Sequence, residues 1–145
     1  MRDDMKEVYD LSKYLPFGGA KSGIIAPQEV IRNKKKKKEC IQAFARAIRK
    51  FSPSEYIGAP DVNTNEEEMR WFAEANGSWK SVTGKPANMC VKPGEKCGIP
   101  HEYGSTGFGV YHATVVAVQH LGLNMKGFTF AVEGFGNVGS FAAKY

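Results

Sequence analysis

No apolar run in these 145 residues is long enough to span a bilayer, which excludes a helical membrane span. A secretory leader is not expected either: "MRDDMKEVYD" is acidic and polar where a signal peptide would be basic and then apolar. Cysteine is scarce, with only Cys40, Cys90 and Cys97. An odd count without tight spacing predicts reduced thiols in a cytoplasmic protein. Cys90, Cys97 and His101 make a poor metal set, because six residues separate the cysteines and a fourth ligand is absent. No metal is expected. Internal repeats are absent, and the only low-complexity stretch is a lysine run. Aromatic residues are not lacking, so the composition is that of a folded globular chain rather than a disordered one. At this length one ordinary domain could bury a sizeable core.

Acidic residues are outnumbered, leaving a net charge of +5, much of it in "KKKKK" at 34–38. Such a run can bind nucleic acid electrostatically. It has no interleaved aromatic residues and no recognition helix beside it, so it reads as a solvated loop and helix entry.

Periodicity predicts a helix over 3–14, with Met5, Val8 and Leu11 on one face, ended by Pro16. A second runs over about 36–51, its apolar stripe made of Ile41, Phe44, Ala45, Ile48 and Phe51. In "PDVNTNEEEMRWF", Thr64 and Glu67 fit a capping box for a third helix. That helix buries Met69, Phe72 and Ala73 and stops at Asn76-Gly77, with Trp71 and Trp79 read as packing residues. Residues 81–104 are irregular and rich in glycine and proline, and a fourth helix spans about 106–121 with Gly122 as its stop. His112 and His120 on it read as ordinary helix residues.

Two segments stand out. In "LPFGGAKSG" (15–23) a single lysine, Lys21, stands among three glycines, in a stretch without helix or strand period. That is either a surface loop with a solvated lysine or a place where backbone must approach another molecule. Near the end, an apolar strand predicted at Phe128–Val132 runs into Gly134-Phe135-Gly136-Asn137-Val138-Gly139 and a helix start. In that context the glycines suit a dinucleotide-binding turn. Gly134 allows the turn, Gly136 lets a pyrophosphate approach, and Gly139 packs helix on strand, with the helix N-terminus holding the anion. The alternative is a glycine-rich turn without a ligand. The acidic residue that would meet a ribose belongs about twenty positions later, beyond Tyr145. The chain therefore reads as a fragment: a substrate-side domain over 1–122 and the start of a Rossmann domain over 123–145.

Taken in order, "LPFGGAKSG", "APDVNT", "TGKP…YGSTGFGV" and "VEGFGNVG" resemble the glutamate dehydrogenase family of amino-acid dehydrogenases. The form "PDVNT" is similar to the glutamate branch; the leucine and phenylalanine branch more often has glycine where Asn63 stands. The resemblance implies an α/β fold, a substrate and assembly domain followed by a Rossmann domain, and homo-oligomers, commonly hexamers. It implies NAD- or NADP-dependent conversion of L-glutamate to 2-oxoglutarate and ammonia, reversibly. Lys21 matches the family's catalytic lysine, where burial in a cleft would lower the amine pKa and help water add to the substrate imine. Asp61 matches its proton-transferring aspartate; helix-entry hydrogen bonding would suit it equally. Gly18, Gly19 and Ala59 would lie beside the substrate. Thr106 matches a threonine near the nicotinamide and would also serve as a helix N-cap.

The chain departs from the family pattern in lacking an upstream "KGGxR" and the lysine usually found just before "LPFGGAK", and in reading "HEYGSTG" where many members have "GRxxATG". These departures keep a leucine-, phenylalanine- or valine-type dehydrogenase in view, along with a non-catalytic oligomerising stub. The chain by itself is expected to be inactive. A nucleic-acid binder built on Lys34 to Lys38 ranks last.

Overall fold

The computed structural model describes residues 18–92 and 97–145. The helix expected over 3–14 lies outside them. Within them are five α-helices: α1 (Gln28–Arg32), α2 (Lys34–Ala47), α3 (Glu66–Asn76), α4 (Ser105–His120) and α5 (Asn137–Lys144). Short 3-10 turns occupy Trp79–Ser81 and His101–Tyr103.

The lysine run is not a loop. It opens α2 from Lys34, because Asn33 turns out of the helix and its side chain accepts the Lys36 N–H at 3.1 Å. Five cations at the start of the helix oppose its dipole. Neighbouring carboxylates answer them: Lys34 reaches Glu67 at 2.6 Å, Lys36 reaches Glu29 at 3.3 Å, and Lys37 reaches Glu68 at 2.5 Å. The ammonium groups of Lys34 and Lys38 also lie over the Trp71 ring at 5.9 and 5.8 Å. Much of the positive charge is thus spent within the fold.

The core forms where α2 crosses α3. Ala45, Met69, Phe72, Ala73 and Val82 are buried, with Ile41, Phe44 and Ile48 packed against them. Phe44 meets Phe72 edge-on at 5.9 Å. Asn76 donates to the Ala45 carbonyl at 3.2 Å and Arg49 to that of Ala75 at 2.8 Å, stitching the helix ends together. Because α2 ends at Ala47, Phe51 falls off the expected stripe and stays exposed beneath the Lys50 ammonium.

The cap of α3 sits one residue later than the sequence pattern suggests. Asn65 accepts the Glu67 N–H at 2.9 Å, and Glu68 reaches back to the Asn65 N–H at 2.8 Å. Thr64 is occupied elsewhere, closing the Asp61 turn. Gly77, at φ 83°, ends the helix as expected.

Helix α4 is entered through Gly104 at φ 84°, so Thr106 lies inside the first turn and is not the N-cap. Gly122, at φ 68°, follows the end of α4 where its stop was expected. Helix α5 packs on α4 where Gly107 has no side chain; a methyl there would meet Phe141 Cβ at 2.5 Å.

The expected strand at Phe128–Val132 is not formed. A strand exists only through a neighbour's hydrogen bonds, and none pairs with this run among the described residues. Phe128, Phe130 and Val132 remain exposed. The α/β expectation is therefore unmet in the described residues, whose only β pairings are isolated bridges at Gly58–Val82 and Cys90–Cys97.

The thiol expectation is also corrected: Cys90 and Cys97 form a disulfide, leaving Cys40 free. Backbone pairing of Met89 with Gly98, N to O 3.0 Å, brings the two cysteines face to face.

Candidate functional site

The first candidate centre is assembled around Asp61. A parallel bridge joins Gly58 to Val82: Gly58 N–H donates to Ser81 O at 2.9 Å and Thr83 N–H to Gly58 O at 2.8 Å. Pro60 rests on Gly84, where an added Cβ would stand 2.6 Å from the proline ring. These contacts make a shelf on which the next residue, Asp61, turns. Its N–H donates to the Thr64 hydroxyl at 2.7 Å, and that hydroxyl donates to its carbonyl at 2.9 Å. Val62 N–H donates to Oδ1 at 2.8 Å, which orients the carboxylate. The remaining oxygen, Oδ2, forms an ion pair with Lys21 Nζ.

Lys21 and Asp61, forty positions apart, are thus in contact. The pair is open to water, with side chains 81% and 52% exposed. Gly18, Gly19 and Gly23 have nothing within 4 Å of where a Cβ would stand, so the described residues leave the glycines beside the lysine uncrowded. The buried cleft expected around Lys21 is not formed by the described residues, and an ion pair this exposed contributes little stability. Behind Asp61 lies a cavity of about 200 Å³ whose walls include Gly23, Ala59, Asn63, Thr64 and Phe72.

The second candidate centre is the glycine elbow. Gly134 takes φ 83°, a left-handed turn that glycine adopts without strain. A side chain at Gly139 would run into the Gly134 carbonyl oxygen, so the helix can close on the turn only with glycine there. Gly136 is the N-cap of α5, no side chain caps that helix end, and the space where its Cβ would lie is clear to 4 Å. Helix-terminal N–H groups that lack an intrahelical acceptor, beside an unobstructed glycine, fit a phosphate oxygen. Asn137 is anchored through its side chain, which donates to His101 O at 3.0 Å. Phe135 is 77% exposed, and Val138 lines a groove of about 810 Å³ between α4 and α5. Thr106 is exposed on the first turn of α4.

Two features escaped the sequence reading. Lys85, in "TGKP", is buried; its ammonium donates to Val82 O and lies 4.7 Å from the Trp79 ring centre. Desolvation by burial lowers its pKa below the ordinary 10.5. Nothing in local sequence marked that burial. The other is the disulfide, for which the Pro-Gly dipeptide midway between Cys90 and Cys97 was the available turn signal.

The Lys21–Asp61 contact, carried on the segments that flank the two packed helices, precedes the glycine elbow in the chain. The chain belongs to the Glu/Leu/Phe/Val dehydrogenase family: the family's dimerisation-domain model matches residues 11–77, and its Glutamate/Leucine/Phenylalanine/Valine dehydrogenase model matches 97–145. It is 35% identical over 136 residues to a glutamate dehydrogenase of Thermotoga maritima, covering 89% of this chain and 31% of the relative. It is 33% identical over 139 residues to an NAD-specific glutamate dehydrogenase of Peptoniphilus asaccharolyticus, covering 90% of this chain and 31% of the relative. An NADP-specific glutamate dehydrogenase of Saccharolobus shibatae is 34% identical over 135 residues, with 90% and 31% covered. Among solved structures, the crystal structure of glutamate dehydrogenase from Peptoniphilus asaccharolyticus superposes with a TM-score of 0.55 at 28% identity, over 77% of this chain and 28% of that one. The chain thus spans about a third of the length of the relatives it matches.

Proposed function

We propose that this chain carries the substrate-side residues and the first cofactor-side turn of an NAD(P)-dependent glutamate dehydrogenase, which converts L-glutamate reversibly to 2-oxoglutarate and ammonia. The observation that carries the reading is the contact between Lys21 and Asp61 on the Pro60–Gly84 shelf. Every close relative named above is a glutamate dehydrogenase, with both NAD and NADP represented. The nucleotide, when bound, supplies the hydride acceptor. The chain's own residues do the rest. Lys21 orients a water molecule toward the substrate imine carbon, and its positive charge favours the developing oxyanion. Asp61, held by Val62 N–H and Thr64, exchanges a proton with the substrate nitrogen as ammonia leaves. Gly18, Gly19 and Ala59 leave room for the substrate backbone. Gly134 to Gly139 hold the pyrophosphate at the α5 N-terminus, with Thr106 toward the nicotinamide side.

In this reading residues 1–122 form the substrate and assembly part and 123–145 open the cofactor part. The assembly is a homo-oligomer, a hexamer as in the family, working in the cytoplasm. The cavity behind Asp61 favours one variant of the reading: Ile41, Phe44, Met69 and Phe72 line it, which suits an apolar amino acid. The test is glutamate- and leucine-dependent NAD(P)H formation by the longest natural reading frame containing this chain, with the 145-residue chain expected to be silent. Lys21→Ala and Asp61→Asn should each lower kcat by about 100-fold or more. Full activity in either variant overturns the assignment of that residue, and leucine turnover without glutamate turnover favours the apolar variant.

A further inference from the structure

The disulfide occupies a place that none of the dehydrogenase chemistry uses. On one side, Gly98 is pressed onto the Lys85–Pro86 turn so closely that a Cβ there would strike the carbonyl oxygens of both residues. That turn continues from Gly84, which supports Pro60 and the Asp61 shelf. On the same side, Asn88 accepts from Arg70 of α3 at 2.7 Å. On the other side, the chain leaving Gly98 reaches His101 within three residues, and the His101 carbonyl holds Asn137 at the glycine elbow. The covalent bond between Cys90 and Cys97 therefore stands between the two candidate centres, at the point where one segment is fastened to the other.

Its surroundings suit a bond that opens. Cys97 is exposed and Cys90 half-buried, so a reductant can reach the pair. The ring closed by the bond is short, with a sequence separation of seven, so it removes less chain entropy than a longer loop would. The core of α2 and α3 is built from other residues. The backbone contacts nearest the bond are local: the Gly98 N–H to Met89 O hydrogen bond at 3.0 Å and, beyond it, the 3-10 turn where Gly104 N–H meets His101 O at 2.9 Å.

We propose that Cys90 and Cys97 form a thiol-reducible clamp that fastens the 97–104 segment to the Lys85–Pro86 turn when oxidised and releases it when reduced. The reductant is a dithiol. One of its thiolates attacks the accessible Cys97 sulfur, breaking the protein disulfide and expelling the Cys90 thiolate. Its second thiolate then attacks the mixed disulfide and expels Cys97. Two electrons and two protons pass to the protein, and the dithiol leaves as its own disulfide. The proposal does not depend on the reaction assigned above.

The test uses the 145-residue chain with Cys40→Ser, so that only this pair can react. Alkylation with iodoacetamide under native conditions, read by mass, should label no cysteine before a small dithiol is added and two afterwards. Hydrogen exchange read residue by residue should then show the Gly98 and Gly104 amides exchanging at least 10-fold faster in the reduced chain. The Phe72 and Ala73 amides of α3 should be unchanged. Two labelled cysteines in the chain purified in air would overturn the proposal, as would Gly98 exchange indifferent to the dithiol. Faster exchange throughout α3 on reduction would also overturn it, because the bond would then be a staple for the whole fold. Cys90→Ser/Cys97→Ser should reproduce the reduced pattern, and the comparison of the oxidised and reduced Cys40→Ser chain decides the matter if that variant does not fold.

Discussion

Asn63 holds φ near 60°, the left-handed region that most side chains avoid. Glycine, with no Cβ to clash, and asparagine are the residues that tolerate this conformation. Asn63→Gly should leave thermal stability nearly unchanged, whereas Asn63→Val should cost about 1–2 kcal/mol in denaturant unfolding of the chain. Equal stability of the two variants would show that the turn at Asp61 does not need this backbone state. Lys85 makes a pH prediction. Its folded pKa lies below 10.5, so between the folded value and 10.5 the unfolded chain keeps a proton that the folded chain has released. Stability contributed by this group therefore rises with pH across that alkaline window, and is lost as pH falls through the folded pKa. Lys85→Met should flatten that rise in urea midpoints measured from neutral to alkaline pH.

At the scale of elements, the lysine-rich start of α2 and the glutamate-rich start of α3 are complementary. Each alone has an unusual start: five lysines against the dipole in α2, three glutamates with it in α3. Brought side by side, Glu67 and Glu68 serve both helices. Glu68 is the more consequential, being 3% exposed while capping its own helix and meeting Lys37. Glu68→Ala should destabilise the chain by about 1–3 kcal/mol, since it strips a cap and leaves a half-buried ammonium unpaired. Glu66→Ala, whose carboxylate is not part of the capping box, serves as the comparison by the same unfolding measurement. At the elbow, Gly139→Ala should push α5 away from the Gly134 carbonyl and cost about 1–3 kcal/mol as an overpacked contact. It should also weaken any nucleotide binding, read by NADH fluorescence. Gly122→Asn, at a position with nothing within 4 Å, should do neither.

Over the whole molecule the packing is uneven. The α2–α3 crossing has a buried core, whereas α4 buries only Gly107 and leaves Phe108, Val110 and Val116 exposed. With Phe128, Phe130, Val132 and Phe135 this makes a broad apolar surface around the 810 Å³ groove. An environment-sensitive apolar dye should therefore brighten on binding the folded chain. Phe130→Ser/Val132→Ser should reduce that signal severalfold while the α3 core stays folded by circular dichroism. No helix among the described residues is long and apolar enough to cross a membrane, so this surface is not a helical span.

Where each element follows from its neighbours in sequence, the reading from residues alone succeeded. The apolar face of α3, its glycine stop, the extent of α4 and the helix start after the Gly134 turn, though not the strand expected before it, are all set within a turn or two of chain, by side-chain period and by the lack of a Cβ. Lys21 and Asp61 were legible as candidates through the order of motifs. Their contact was not, since forty residues of chain must fold before the ammonium and carboxylate meet. The same holds for the one-residue shift of the α3 cap, the burial of Lys85, the disulfide and the unpaired run at 128–132. Each depends on which surface arrives from elsewhere in the chain. A cap goes to the side chain left free by the turn beside it, a lysine is desolvated only when a ring and a carbonyl close over it, and an apolar run becomes a strand only when a second one lies alongside.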